Sequence, residues 1–94
     1  MKNITVEIYT GPSCGPCLRA KSLLDKKLAG RGHIKLLEFD VKANPERCPE
    51  MIERSHGRKT IPQIFIDGFH IGGFDELETI ERSGRLDILL GICE

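Results

Sequence analysis

Two cysteines that lie three positions apart are the residues best suited to chemistry in this 94-residue chain. Cys14 and Cys17 enclose the dipeptide Gly-Pro, whereas Cys48 and Cys93 are far from any other cysteine in the sequence. A close cysteine pair is typical either of thiol–disulfide exchange or of half a zinc site. Structural zinc sites usually use two close pairs, so Cys48 and Cys93 fit poorly as the remaining ligands. The spacing therefore favours redox chemistry, and we expect no bound metal.

The cysteine pair lies where a predicted strand gives way to a predicted helix. Apolar and polar residues alternate over 4–9, which is typical of a strand. Ser13 is then the expected N-cap of a helix that runs to Leu28. The first turn of a helix carries unpaired amides and about half a positive charge. We therefore expect the pKa of Cys14 to fall below the ~8.5 of a free thiol, so that Cys14 attacks a disulfide and Cys17 resolves the mixed disulfide.

A second strand and a second helix follow the first helix. Residues 34–41 carry the apolar pattern of the strand, and Asn44, followed by Pro45, is the expected N-cap of the helix. Because one helix joins the first two strands, we expect these strands to be parallel, with a right-handed crossover between them.

The last third of the chain predicts a hairpin and two helices. Asp67-Gly68 between two apolar runs is a strong signal for an antiparallel hairpin. Asp75, with Glu78 three residues later, predicts a capping box at the start of the third helix. A short final helix is expected over 85–90. The order of the main elements is therefore β-α-β-α-β-β-α, with the short final helix after them, which is an α/β fold.

Length and composition exclude several classes of protein. Ninety-four residues allow one domain, expected to span 1–94. The formal net charge is zero, which argues against a general nucleic-acid binder. No apolar run approaches the ~18 residues of a membrane span, and no secretory signal is visible, so we expect a cytoplasmic protein without a membrane partner.

Three segments, in this order and spacing, make the chain resemble a glutaredoxin of the thioredoxin superfamily. They are the run 7–10 leading into the Cys14-x-x-Cys17 motif, the run 60–66 (Thr-Ile-Pro-Gln-Ile-Phe-Ile), and the run 72–75 (Gly-Gly-Phe-Asp). The resemblance covers nearly the whole chain. It implies a four-stranded mixed sheet flanked by helices and a cis peptide before Pro62, facing the dithiol.

The resemblance also implies a groove for glutathione. Ile61 would pair through its backbone with the extended substrate, Asp75 would hold the γ-glutamyl end, and Arg58 would contact the glycyl carboxylate. The active-site loop implied by the resemblance comprises Gly15, Pro16 and Pro62. The implied glutathione- and substrate-binding residues are Arg58, Thr60, Ile61, Pro62, Gly73, Phe74 and Asp75.

The chain differs from the family at two positions near the dithiol. Gly15-Pro16 is the thioredoxin-type pair in place of the family's Pro-Tyr, and Gly11 stands where a lysine is usual. With Gly-Pro between the cysteines, we expect a reduction potential shifted toward the reducing end, since thioredoxin lies near −270 mV and glutaredoxins at about −200 to −230 mV.

The implied activity is reduction of protein disulfides or glutathione mixed disulfides by a monomeric glutaredoxin-type oxidoreductase. It would have no permanent cofactor, would use glutathione as co-substrate, and would be restored by glutathione or by a thioredoxin-reductase-like enzyme. One alternative is a thioredoxin-like reductase that is recycled by a flavoprotein and has weak affinity for glutathione. Another is a glutathione-dependent [2Fe–2S] carrier, which Gly15 permits. Cys48 and Cys93 are interpreted as filling or incidental thiols, and His33, His56 and His70 receive no role.

Overall fold

The structure is a computed structural model that describes residues 3–92. Its strands and helices follow each other in the predicted order, which confirms the α/β class, and the short final helix is present. Predicted and observed ends of strands and helices differ by a residue at several places, as is usual where helices and strands fray. The elements are β1 (Ile4–Thr10), α1 (Gly15–Leu28), β2 (Ile34–Asp40), α2 (Arg47–Arg54), β3 (Gln63–Ile66), β4 (Phe69–Gly72), α3 (Phe74–Arg82) and α4 (Arg85–Leu89).

The four strands form one mixed sheet in the order β2-β1-β3-β4. β1 pairs in parallel with β2 and antiparallel with β3, and β3 pairs antiparallel with β4. The parallel pair and the hairpin are therefore confirmed. β1 and β3 lie at the centre of the sheet, so the segments that follow β1 and precede β3 meet at the same edge.

Helices cover both faces of the sheet because the strands are apolar on both sides. On one face α1, α3 and α4 pack through residues such as Leu24, Leu77 and Leu86 against alternate residues of β1 and β3. On the other face a smaller cluster forms around Tyr9 and Phe65, into which α2 inserts Met51. The two clusters fix α1 and α2 relative to the central strands.

The hairpin turn has the backbone that its sequence demands. Asp67 and Gly68 have φ of 51° and 81°, the left-handed pair that matches the twist of a two-residue hairpin. The turn is also tied to β1, because Thr5 N–H donates to Asp67 Oδ1 at 2.9 Å and Asp67 N–H donates to Thr5 O at 2.7 Å.

Two predicted helix starts are wrong because the backbone before each helix takes another form. Cys14, rather than Ser13, is the N-cap of α1, and Ser13 has a left-handed φ of 55°. For α2 the N-cap is Glu46 rather than Asn44. Asn44 O instead accepts the Arg47 N–H at 2.9 Å, so a turn precedes the helix.

The predicted capping box of α3 is also wrong, since the helix begins two residues earlier. Gly73 is the N-cap, so Asp75 is the second residue of the helix and does not cap it. The acidic residue that caps is Glu76, whose Oε1 accepts the Gly73 N–H at 2.6 Å. Gly72, with φ of 122°, ends the strand and leaves a joint of only two glycines before the helix.

Candidate active site

Cys14 and Cys17 lie in the first turn of α1 and are joined as a disulfide. Their Cα atoms are 5.2 Å apart, and Cys17 N–H donates to Cys14 Sγ at 3.2 Å. Pro16 occupies the first turn, where a missing amide costs no helical hydrogen bond. Cys14 is half-buried, whereas Cys17 is only 1% exposed. Solvent and substrates can therefore reach Cys14, while Cys17 can approach it only from inside the protein.

The segment that precedes β3 forms the wall opposite the dithiol. The Ile61–Pro62 peptide is cis, as the resemblance implies. Ile61 O lies 3.9 Å from Cys14 Sγ, and Pro62, the next residue, is buried. The backbone of residue 61 is thus adjacent to the accessible sulfur, where an extended substrate can pair with it.

A cleft of about 190 Å³ runs beside this wall. It brings together every residue that the resemblance assigns to the glutathione groove, although they come from two separate stretches of chain, 58–62 and 73–75. Arg19 and Glu76 also line the cleft, and the sequence reading missed both. The lining residues are Pro16, Arg19, Arg58, Thr60, Ile61, Pro62, Gly73, Phe74, Asp75 and Glu76.

The start of α3 gives one end of the cleft donors and a carboxylate. The first helical hydrogen bond runs from Leu77 N–H to Gly73 O at 3.0 Å, so the amides of Phe74 and Asp75 have no partner within the helix. The Asp75 side chain is exposed beside them. This end can therefore accept a ligand that carries both a carboxylate and an ammonium group. Arg19 lies nearby, with its guanidinium carbon 5.6 Å from the centre of the Phe74 ring.

Arg58 and Glu76 form an ion pair that also lines the cleft. Both terminal nitrogens of Arg58 lie 3.4 Å from Glu76 Oε1. The hydrogen bond from the Gly73 amide, with help from Arg58, lowers the pKa of Glu76, although burial opposes this shift. Glu76 is three residues after its N-cap, a spacing that could have found it had the helix start been placed at Gly73.

A buried amide connects the cleft wall to the hairpin. The Gln63 side chain is fully buried, and its Nε2 donates to Thr60 O at 3.1 Å and to Thr60 Oγ1 at 3.2 Å. His70 Nε2 lies 2.8 Å from Gln63 Oε1, so this ring nitrogen carries the hydrogen and donates. Burial lowers the pKa of His70. A neutral His70 therefore orients Gln63, which in turn holds Thr60.

A second polar network supports the end of β1 on the far face of the sheet. Tyr9 OH donates to Glu50 Oε2 at 2.6 Å and accepts from Arg54 at 2.7 Å. Arg54 also reaches both carboxylate oxygens of Glu7, at 2.8 and 3.1 Å. The network joins α2 to the strand that leads into the dithiol loop. Nothing in the local sequence signals it, because Tyr9 and Glu50 are 41 positions apart.

Of the remaining cysteines, Cys48 does not line this cleft. Cys48 is a half-buried free thiol on α2, and Cys93 lies outside the described residues. Within residues 3–92, no group of three or more His, Cys, Asp or Glu side chains could hold a metal ion. None of the helices described is long and apolar enough to cross a membrane.

A cysteine pair at a helix N-terminus, opposed by a cis-proline on a four-stranded mixed sheet, defines a thiol–disulfide oxidoreductase with the thioredoxin/glutaredoxin fold. The family model for glutaredoxin matches residues 6–71, which is more than half of the chain. The chain belongs to the glutaredoxin family.

Individual relatives agree with this assignment. Glutaredoxin 3 of Escherichia coli is 47% identical over 85 residues, which cover 90% of this chain and 95% of that protein. The solution structure of a glutaredoxin from Brucella melitensis is 47% identical, with a TM-score of 0.74 over 98% of this chain and 91% of the other. A crystal structure of a buckwheat glutaredoxin–glutathione complex is 26% identical, with a TM-score of 0.74 over 92% of this chain and 76% of the other.

These relatives and the Cys14–Cys17 pair make the protein a thiol–disulfide oxidoreductase of glutaredoxin type. Neither the thioredoxin-like alternative nor the iron–sulfur carrier is favoured by them. The fold with its four-stranded mixed sheet and flanking helices is likewise confirmed.

Proposed function

We propose that this protein reduces glutathione mixed disulfides and protein disulfides, with glutathione as its co-substrate. The observation that supports this most is the cleft beside Cys14, which is lined by a cation, Arg58, and by helix amides with the carboxylate of Asp75. Glutathione carries complementary groups, a glycyl carboxylate and an amino-acid group. The buckwheat relative has been solved as a complex with glutathione.

Each end of glutathione has a complementary partner in this proposal. Arg58 takes the glycyl carboxylate, since its planar guanidinium can bond both oxygens. The amides of Phe74 and Asp75 take the γ-glutamyl carboxylate, and the Asp75 side chain takes the ammonium group. Ile61 pairs with the central backbone of the tripeptide, which brings the glutathione sulfur to Cys14.

The reaction begins at Cys14. Its thiolate attacks the glutathione sulfur of a mixed disulfide, the S–S bond breaks, and the substrate protein leaves as a thiolate that takes a proton from water. Cys17, once deprotonated, attacks the Cys14 sulfur and expels glutathione. This leaves the Cys14–Cys17 disulfide in which the structure is found. For a protein disulfide the same two attacks reduce both substrate sulfurs.

Two molecules of glutathione restore the dithiol. The first attacks Cys14 and releases Cys17 as a thiol, and the second attacks the sulfur of the bound glutathione. Cys14 returns to the thiol and glutathione disulfide leaves, so the two molecules of glutathione supply the two electrons that reduce the Cys14–Cys17 disulfide. Steric access supports this order, because Cys14 is half-buried and Cys17 is almost fully buried.

The donor is tested by a coupled assay with two recycling systems. NADPH oxidation is followed with glutathione and glutathione reductase, and separately with thioredoxin reductase alone, on one small glutathione mixed disulfide. We expect turnover with glutathione. Asp75→Asn and Arg58→Met should raise KM for the mixed disulfide, whereas Lys59→Met, an exposed charge that does not line the cleft, should not. Turnover with thioredoxin reductase, and none with glutathione and glutathione reductase, would rule out glutathione as the donor.

We also propose the setting in which the protein works. It acts as one domain over residues 1–94, as a monomer in the cytoplasm, with no nucleic-acid partner. A single cooperative unfolding transition, a monomer mass in sedimentation and recovery in the cytosolic fraction are the results expected. A dimer or a membrane-bound fraction would contradict the corresponding part.

A further inference from the structure

We propose that Glu76 is a specificity-determining residue, whose carboxylate competes with the substrate carboxylate for Arg58. This inference rests on the proposed function, in which Arg58 receives the glycyl carboxylate of glutathione. Glu76 acts here as a built-in competing anion that weakens the binding of anionic ligands at this end of the cleft.

The first support is the contact itself. Arg58 follows α2 and Glu76 belongs to α3, and both line the cleft. Glu76 Oε1 lies 3.4 Å from both terminal nitrogens of Arg58. These are the nitrogens that a planar carboxylate ligand would use. The two side chains are 41% and 47% exposed, so a ligand can reach the pair from solvent.

The second support is that Glu76 does not depend on Arg58 for its position. Its Oε1 accepts the Gly73 N–H at 2.6 Å, a shorter contact than either one to Arg58. The Gly73 amide also lowers the pKa of Glu76, which keeps the side chain ionised at neutral pH. The Glu76 carboxylate therefore stays at the cleft when a ligand enters, whereas the Arg58 side chain can rotate toward the ligand carboxylate.

The third support is the pair of glycines beneath the two side chains. A Cβ atom at Gly72 would lie 2.6 Å from Glu76 Oε1 and 3.0 Å from Arg58 NH1. A Cβ atom at Gly73 would lie 3.4 Å from the same oxygen and 3.7 Å from Arg58 NH2. The joint between β4 and α3 thus leaves room for the ion pair to cross close to the backbone.

The consequence for binding is a penalty that falls on one group of the ligand. An incoming carboxylate shares the guanidinium with Glu76 and is repelled by it, because both are negative. A ligand whose glycyl end is an uncharged amide meets no such repulsion. Glu76 therefore reduces the preference of the cleft for disulfides with a free glycyl carboxylate over neutral peptide-like disulfides.

The test uses the full chain with two substrates that differ at one group. One is the mixed disulfide of glutathione with a small neutral thiol, and the other is the same compound with its glycyl carboxylate amidated. Glu76→Gln is the informative variant, since its amide oxygen still accepts the Gly73 N–H while the charge is lost. Glu78→Gln is the control, because Glu78 lies on the same helix, pairs with Arg82 and does not line the cleft.

We expect Glu76→Gln to lower KM for the free-carboxylate substrate roughly threefold, the size typical of a half-exposed ion pair. KM for the amidated substrate, kcat for both substrates and the alkylation rate of Cys14 should not change, and added salt should shrink the difference. The control variant should behave as the wild type. An unchanged or raised KM in Glu76→Gln overturns the proposal, since it means that Glu76 is inert or orients Arg58 productively.

A further variant separates this inference from the proposed function. If Arg58→Met raises KM for the free-carboxylate substrate but Glu76→Gln does not lower it, the competition is disproved and the groove stands. If Arg58→Met leaves both substrates unchanged, the assignment of Arg58 to the glycyl carboxylate fails, and the competition fails with it. Thermal melts of both variants show whether either change acts through the fold instead.

Discussion

Replacing Gln63 by methionine is expected to loosen the wall of the cleft that faces Cys14. Gln63 is fully buried and makes three hydrogen bonds, two to Thr60 and one with His70. Methionine has nearly the same length and volume but forms none of them. Thr60 comes directly before Ile61 and Pro62, so loss of the Gln63 hydrogen bonds should loosen the backbone of Ile61, with which the substrate backbone pairs.

The expected cost follows from the surroundings of each partner. A hydrogen bond contributes about 0.5–1.5 kcal/mol net, so three give about 1.5–4.5 kcal/mol. Thr60 is exposed, and water can replace Gln63 at its two oxygens. His70 is half-buried and loses more. We therefore expect a loss of about 2 kcal/mol in the free energy of unfolding, which lowers Tm by roughly 8–16 °C in a domain of this size.

Two assays separate a positioning role of Gln63 from a purely structural one. Urea unfolding measures the stability loss, and steady-state turnover of a glutathione mixed disulfide measures the effect on the cleft. We expect KM to rise about fivefold, equivalent to about 1 kcal/mol, while alkylation of Cys14 by a small neutral reagent keeps its wild-type rate. Gln63→Glu is the matched variant, because it keeps the acceptor for His70 and loses the donors to Thr60.

Either of two results would show that Gln63 does not position the cleft wall in this way. If Gln63→Met is as stable as the wild type, the hydrogen bonds contribute nothing. If alkylation of Cys14 slows as much as turnover, Gln63 supports the whole site rather than the wall. His70→Phe, which keeps a ring beside Phe65, should reproduce the KM effect in part.

Three further outcomes are expected. Burial and the bond to Glu50 raise the pKa of Tyr9 above 10.0, so its contribution is present below the unfolded pKa and lost as pH rises through the folded one. Tyr9→Phe should cost about 1–2 kcal/mol at pH 7 in urea unfolding and show a smaller further loss above pH 10 than the wild type; an equal alkaline loss contradicts this. Gly72→Ala should lower the free energy of unfolding by about 1–3 kcal/mol, because Gly72 has φ of 122° and an added Cβ would lie 2.6 Å from Glu76 Oε1. An unchanged stability in urea unfolding would refute this. Changing Gly15-Pro16 to Pro-Tyr should raise the midpoint potential by roughly 30 mV, or 1.4 kcal/mol, in glutathione redox buffers, whereas an unchanged potential would show that the dipeptide does not set it.

The fold could be predicted because its main signals are local. Alternation over residues 4–9 predicts β1, and Asp67-Gly68 predicts the hairpin that the structure shows. The resemblance, carried by short motifs, also implied the cis peptide before Pro62 and the residues that line the cleft, except Arg19 and Glu76. These features depend on neighbours in sequence or on a pattern shared by a family.

The contacts that were missed join residues distant in sequence or depend on where a helix begins. Arg58 and Glu76 are 18 positions apart and meet only when β4 ends at the glycine joint. Gln63 and His70 face each other because the hairpin folds back. The helix starts were misplaced because Ser13 and Asp75 are good caps by residue type, but the backbone places Cys14 and Gly73 at those positions.

The most direct test of the central claim is to find which sulfur reacts first with glutathione disulfide. Intact-mass and peptide analysis follow Cys14→Ser and Cys17→Ser over time at neutral pH. We expect rapid attachment of one glutathione to Cys14 in Cys17→Ser, little attachment in Cys14→Ser, and an internal disulfide without bound glutathione in the wild type. Attachment to Cys17 in Cys14→Ser at a rate equal to that of Cys14 would contradict the account.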